Sequence, residues 1–239
     1  MVVAIHQPEH LPWLGFFHKA LQADCLVLLD NVQYRKHYFQ NRNRIRGKQG
    51  ALWLTVPVLT RGKASQPIRE VRVDNEGNPR WREKCRRSLI QHYEASPHWE
   101  RYAGALQEIY RGAWTNLADL NEQIVRQMLG WFSIRAEIRR ASELVPEGSG
   151  SSLLLSICRQ MGAQTYLSGI SGRDYLEVEQ FERAGIEVRF QDFHHPIYRQ
   201  RYEPFLPCLS AVDLLFNHGP ASREILQGVG VPVMEEVFC

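Results

Sequence analysis

No apolar run in this chain approaches the roughly 18–20 residues that a membrane-crossing helix requires. The opening residues, Met1-Val2-Val3-Ala4-Ile5-His6, carry no charged leader and no long apolar core. No signal peptide is therefore expected, and the reading is a cytoplasmic protein without membrane insertion. Cysteine is sparse: Cys25, Cys85, Cys158, Cys208 and Cys239 are scattered, odd in number and never spaced C-x-x-C. That argues against a disulfide framework and a zinc knuckle, and fits a reducing compartment. There is no internal repeat, no low-complexity tract, no G-K-[ST] phosphate loop and no G-x-G-x-x-G fingerprint. What remains is an ordinary globular composition, 44% hydrophobic and 23% charged over 239 residues, enough for one large domain or two small ones.

One absence is local. Residues 31–69 hold nine Lys or Arg and no Asp or Glu. The whole chain has 29 basic and 26 acidic side chains, so the rest holds 20 against 26 and is net acidic. Positive charge focused directly after an apolar run reads as a place built for an anion.

Residues 2–6 predict a strand. Residues 11–23 carry apolar positions at helical spacing, with Pro12 suited to a first helical turn. Residues 25–30 read as a short buried parallel strand. Together they make a βαβ unit whose functional loops belong at the strand C-terminal ends. Residues 51–58 and 68–73 predict two more strands. From Pro79 to Phe132 three amphipathic helices follow, broken near Ser96-Pro97 and Ala113-Trp114-Thr115. A strand from Ile134 leads into a loop at 146–152, a helix ending at Gly162 and a strand at 165–167. Another strand follows Gly185, and helices are expected near 209–216 and 221–226. This alternation predicts an α/β, Rossmann-like, mostly parallel sheet. Residues 1–78 and 134–239 form two halves of one domain, interrupted by a helical insertion at 79–133.

Four segments carry candidate chemistry. His6, at the exit of the first strand, precedes Gln7, a turn, Trp13 and a helix N-terminus, whose free N–H groups favour phosphate. His6 and His10 would need a helix to share a metal, and Pro8 and Pro12 argue against one, so no metal is expected. Asp30 ends the second strand, where open sheets put ligand contacts. Beyond it Gln33, Lys36, Gln40, Asn41, Arg42 and Asn43 offer amides and cations suited to phosphate or carboxylate. Tyr34, Tyr38 and Phe39 interleave with them, so nucleic acid is an alternative anion. The loop Ser168-Gly169-Ile170-Ser171-Gly172-Arg173-Asp174-Tyr175 offers a backbone cradle. His195, held extended by Pro196, is a candidate general base beside Tyr198.

These segments resemble the WbqC-like protein family. Ile5 to Gly15 matches I-H-Q-P-x-x-L-P-W-x-G, with His10 where the family often has Tyr. Leu29 to Lys36 matches L-D-x-V-Q-[FY]-x-K, and Gln40 to Asn43 matches Q-N-R-N. Trp53 to Val58, Tyr166 to Gly169, Gly172 to Leu176, His195 to Tyr198 and Leu209 to Asn217 complete a resemblance along nearly the whole chain. It implies a biosynthetic enzyme in routes to surface polysaccharides or specialised metabolites. Such an enzyme would transfer an acyl or aminoacyl group to an amino sugar or other amine. An early His before a helix and a late S-G-x-S-G-R loop also resemble the layout of the HIGH-type nucleotidylyltransferases, although H-x-G-H itself is absent.

The expected site lies at the strand C-terminal ends. His6, Lys36 and Arg42 orient a phosphate-bearing small-molecule donor, and Asp30 or His195 accepts the amine proton. Gln33, Asn41 and Tyr175 position the acceptor; Gln7, Trp13, Gln40, Asn43, Ser168, Gly169, Gly172, Asp174 and Tyr198 complete the substrate contacts. The donor is an acyl or aminoacyl conjugate, with carrier-bound and tRNA-bound forms included. The alternatives are a nucleotidylyltransferase or ligase using a nucleotide with Mg²⁺, and a non-catalytic sugar-nucleotide or RNA-binding protein.

Overall fold

The computed structural model describes residues 1–63 and 65–234; Cys239 lies outside them. Along β1 (Val2–His6), Val3 and Ile5 join one apolar cluster and Ala4 joins another, on opposite faces. After α1 (Leu14–Leu21), β2 (Cys25–Leu28) repeats the pattern, with Cys25 and Val27 on one face and Leu26 and Leu28 on the other. Strands apolar on both faces must be covered on both, which is the environment of a parallel sheet with helices on each side.

The chain then leaves the sheet for a separate antiparallel hairpin, β3 (Arg42–Gly47) and β4 (Gly50–Thr55). Three helices follow: α2 (Trp81–Tyr93), α3 (Trp99–Arg111) and α4 (Leu117–Trp131). The sheet resumes with β5 (Glu137–Arg140), then α5 (Ala141–Leu144) and α6 (Gly150–Gln160). Next come β6 (Thr165–Ser168), α7 (Val178–Arg183) and β7 (Glu187–Phe190). The last elements are β8 (His195–Pro196), α8 (Val212–His218), α9 (Ser222–Leu226) and β9 (Val233–Met234).

The main sheet has the order β5-β2-β1-β6-β7, and every pair in it is parallel. The chain builds outward from β1 on one side, then returns to the other edge of β1 with β6. Strand order therefore reverses between β1 and β6, and the crevice beyond their C-terminal ends is where such sheets bind ligands. This is the Rossmann-like α/β architecture. Helices α2 to α4 and α8 share the core of one face with Leu14, Phe16 and Phe17 of α1, while α6 and Phe181 of α7 cover the other.

Several local expectations change. Residues 68–70 make a 3₁₀ turn, and 71–74 lie between 57–59 and 115–117, bonded to both but through isolated bridges rather than a ladder. Pro12 lies ahead of α1, outside its first turn. Within the basic segment expected to meet an anion, residues 42–47 form a strand. Cys25, Cys85 and Cys158 are buried free thiols.

Candidate functional site

The loop from β1 to α1 is fixed by contacts to the hairpin. Asn43 Nδ2 donates to the Leu11 carbonyl at 2.8 Å, and Ala211 N donates to the Pro12 carbonyl at 2.9 Å. Leu11 is held left-handed, at φ 47°, while fully buried. Such strain persists only where the surroundings over-determine the backbone. Gln40 Nε2 donates to Gln7 Oε1 at 2.6 Å, and Asn121 of α4 donates to the Gln40 carbonyl at 2.7 Å. Trp13 lies flat over Gly15, where an added Cβ would meet the indole at 2.2 Å, so the W-x-G spacing is a packing requirement.

Inside this loop the structure gathers three ionisable groups. His6 Nδ1 sits 3.0 Å from the Gln7 carbonyl. A carbonyl only accepts, so Nδ1 carries the proton of the neutral ring and Nε2 keeps its lone pair. Burial, then the nearby Lys19 ammonium, lowers the His6 pKa to about 3, so the ring is neutral at physiological pH. The side chain keeps 24% of its surface exposed. Glu9 Oε1 is 3.8 Å from His6 Nδ1, and Glu9 Oε2 is buried without a partner. Burial pushes the Glu9 pKa up to about 8, against the pull of Lys19.

Lys19, on α1, is 3% exposed and donates from Nζ to the Ile5 carbonyl at 3.0 Å. Its Nζ also lies 4.0 Å from where a Cβ on Gly169 would be. The ammonium is thus wedged between the exits of β1 and β6, at the reversal point of the sheet. Burial lowers its pKa to about 8, opposed by Glu9. Lys19 and Glu9 were missed in the sequence. The available signal was a lysine inside the apolar stretch Leu14-Gly15-Phe16-Phe17-His18-Lys19-Ala20-Leu21, on the face that α1 buries.

The remaining expected residues divide. Ser168 is buried at the end of β6, and its Oγ stands 2.1 Å from where Gly172 would carry a Cβ, which explains that glycine. Asp174 and Tyr175 are exposed on the turn beyond it. Gln33 and Lys36 are exposed on the loop after β2. Asn41 donates to the Val56 carbonyl and Arg42 to the His37 carbonyl, so both help hold the hairpin.

Two expected proton acceptors have other work. Asp30 is buried, and its carboxylate accepts from Ser142 N at 2.9 Å and Ser142 Oγ at 2.7 Å, anchoring the start of α5. His195 uses both ring nitrogens: Nδ1 faces the Pro196 carbonyl at 2.9 Å, and Nε2 accepts from Cys208 N at 3.2 Å. In this arrangement both ring nitrogens are occupied, and His195 braces the Cys208 segment. Tyr198 donates to Asp213 Oδ2 at 3.0 Å and Tyr93 to Asp213 Oδ1 at 2.9 Å, a buried network beneath α8. Among the described residues no group of three His, Cys, Asp or Glu is arranged to hold a metal, and no helix is long and apolar enough to cross a membrane.

The chain belongs to the WbqC-like protein family, which matches residues 7–225. It is also similar to the uncharacterized protein Rv1507c of Mycobacterium tuberculosis, at 32% identity over 227 residues, covering 94% of this chain and 97% of that one. No solved structure matches it.

Proposed function

We propose that this member of the WbqC-like family is a biosynthetic transferase that moves an acyl or aminoacyl group from a phosphate-bearing donor to an amine. The acceptor is an amino sugar or a comparable small metabolite. The observation that carries the reading is that a buried lysine, Lys19, and a buried carboxyl, Glu9, whose Oε2 has no partner, stand with a neutral His6 around the exit of β1. A buried lysine and a buried carboxylate with an unmatched oxygen are costly to fold. Perturbed groups of this kind concentrate at functional sites.

The chemistry assigns each group a task. The amine nitrogen attacks the acyl carbon, and the carbonyl electron pair moves onto oxygen. Lys19, which spends one N–H on Ile5, has others to stabilise that oxygen or the donor phosphate. The carbon–oxygen bond to the phosphate then breaks, and the phosphate-bearing group leaves with the electron pair. The proton released by the amine goes to His6 Nε2, whose basicity rises when the donor's negative charge is bound beside it. His6, whose side chain keeps 24% of its surface exposed, then passes that proton to solvent.

The test is incubation of the purified protein with aminoacyl and acyl phosphates, acyl-coenzyme A and an amino-sugar nucleotide. Amide product and released phosphate are followed by mass spectrometry. His6→Ala should abolish product while the protein stays folded. Pyrophosphate release from ATP or CTP with Mg²⁺, without amide formation, would replace this reading by nucleotidyl transfer.

A further inference from the structure

The hairpin presents a second surface, apart from the buried Lys19 at the exits of β1 and β6. On it Tyr38 and Trp53 are 43% and 46% exposed, unusual for such large rings. Phe39 lies between them, with ring centroids 5.2 Å from Tyr38 and 6.2 Å from Trp53. Cations line the row: Arg35 lies 5.9 Å from the Tyr38 centroid, and Arg42 and Arg44 lie 4.2 and 5.8 Å from that of Trp53. Trp53 is also one wall of a groove of about 820 Å³ running to the start of α2, where Arg80 and Lys84 stand and Arg87 is ion-paired with Glu83 at 2.6 Å. No Asp or Glu lines that groove, and none occurs in residues 31–69.

From this we infer that the Tyr38–Phe39–Trp53 row and the adjoining groove form a binding surface for single-stranded nucleic acid. Exposed rings offer stacking faces to unpaired bases, and the flanking cations track a phosphate backbone. A duplex keeps its bases stacked internally and cannot use such rings. An acidic peptide would use the cations but leave the aromatic row without a partner. The row adjoins Gln40, which is bonded to Gln7 beside His6, so a bound strand borders the transfer site. The surface stands whether or not the transfer reading holds.

The experiment is fluorescence anisotropy of the full-length protein with labelled 12-nucleotide single-stranded RNA, the matching DNA and a duplex, at 50 to 200 mM NaCl. Single strands should bind more tightly than duplex, and log affinity should fall with log salt at roughly −0.7 per neutralised phosphate. Trp53→Ala should weaken binding about 5- to 150-fold, the worth of one stacked base. Lys84→Gln should reduce the salt slope with the fold intact. Lys19→Met, buried in the other site, should leave RNA affinity unchanged. The assignment is overturned by no binding at 50 mM NaCl, by equal affinity for duplex, by unaltered binding in both Trp53→Ala and Lys84→Gln, or by loss of binding in Lys19→Met. RNA tighter than DNA identifies ribose contacts; equal affinity identifies bases and phosphates alone. Both support the surface.

Discussion

Replacing Lys19 by Met should make the protein more stable and inactive at once. Met fills nearly the same volume with an apolar chain and removes the buried charge. Lys19 falls from a pKa of 10.5 to about 8 on folding. At 1.36 kcal/mol per unit that is a cost of about 3 kcal/mol for keeping the ammonium charged near neutral pH. Against it stands the bond to the Ile5 carbonyl, whose loss leaves a buried acceptor unpaired at about 1–3 kcal/mol. At pH 7 Glu9, raised to about 8, is mostly protonated already and adds little when its partner goes. The net expectation is a gain of about 1–2 kcal/mol, or a Tm higher by roughly 2–8 °C for a chain of this size. The sign follows from linkage: a depressed lysine costs stability below its folded pKa, and the cost fades as pH rises toward 10.5. Thermal melts followed by circular dichroism from pH 6 to 10.5 measure the gain, and the amide-forming assay measures activity. A Tm lowered at pH 7, or turnover retained, refutes the view that Lys19 is kept for chemistry at the expense of stability.

Glu9→Gln should remove a pH dependence. The folded carboxyl holds its proton up to about 8, whereas the unfolded one releases it near 4.5, so wild-type stability falls as pH rises through that window. The variant should pull ahead of wild type across it, by about 5 kcal/mol at most from the size of the shift, and parallel melting curves at pH 5 and pH 8 would exclude this. Gly15→Ala should force the Trp13 ring aside and cost about 1–3 kcal/mol, readable in urea melts together with altered tryptophan fluorescence. Asp30→Ala should lower stability by about 2–4 kcal/mol by stranding the Ser142 N–H and hydroxyl. An unchanged Tm with lost turnover would instead return Asp30 to a catalytic role.

The centre of the sheet was legible because β1 and β2 are apolar on both faces. Residues 25–30 read as a buried parallel strand, and 2–6 and 165–167 as strands, without any tertiary knowledge. The hairpin was hidden for the opposite reason. Arg42-Asn43-Arg44-Ile45-Arg46 looks solvated in sequence, yet Asn43 and Arg46 are buried by bonds to distant carbonyls, those of Leu11 and Pro204 among them. Residues 68–73 alternate as a strand should, but alternation does not show how long the neighbouring segments run, and 57–59 and 115–117 give only isolated bridges. In the candidate site, His6 was visible from its place at a strand exit. Lys19 was not, since a lysine on a helix is ordinarily solvated, and only the crossing of α1 over the sheet's reversal point buries it. The bond from the Cys208 amide to His195 was not legible, because sequence distance conceals it.

The order of the sheet also sets a timetable for synthesis. β1 pairs with β2 almost as soon as both have been made, since residues 2–6 and 25–28 are close in the chain. Its other edge waits for β6, which begins at Thr165. Until then the central strand of the finished sheet is an outer strand, with backbone groups open to any passing chain. A ribosome-bound chain halted before residue 165 therefore carries its most aggregation-prone edge at its N-terminus. Expression should respond to chaperones that shield nascent segments, and slow codons placed just before β6 should lower the soluble yield more than the same codons placed after it.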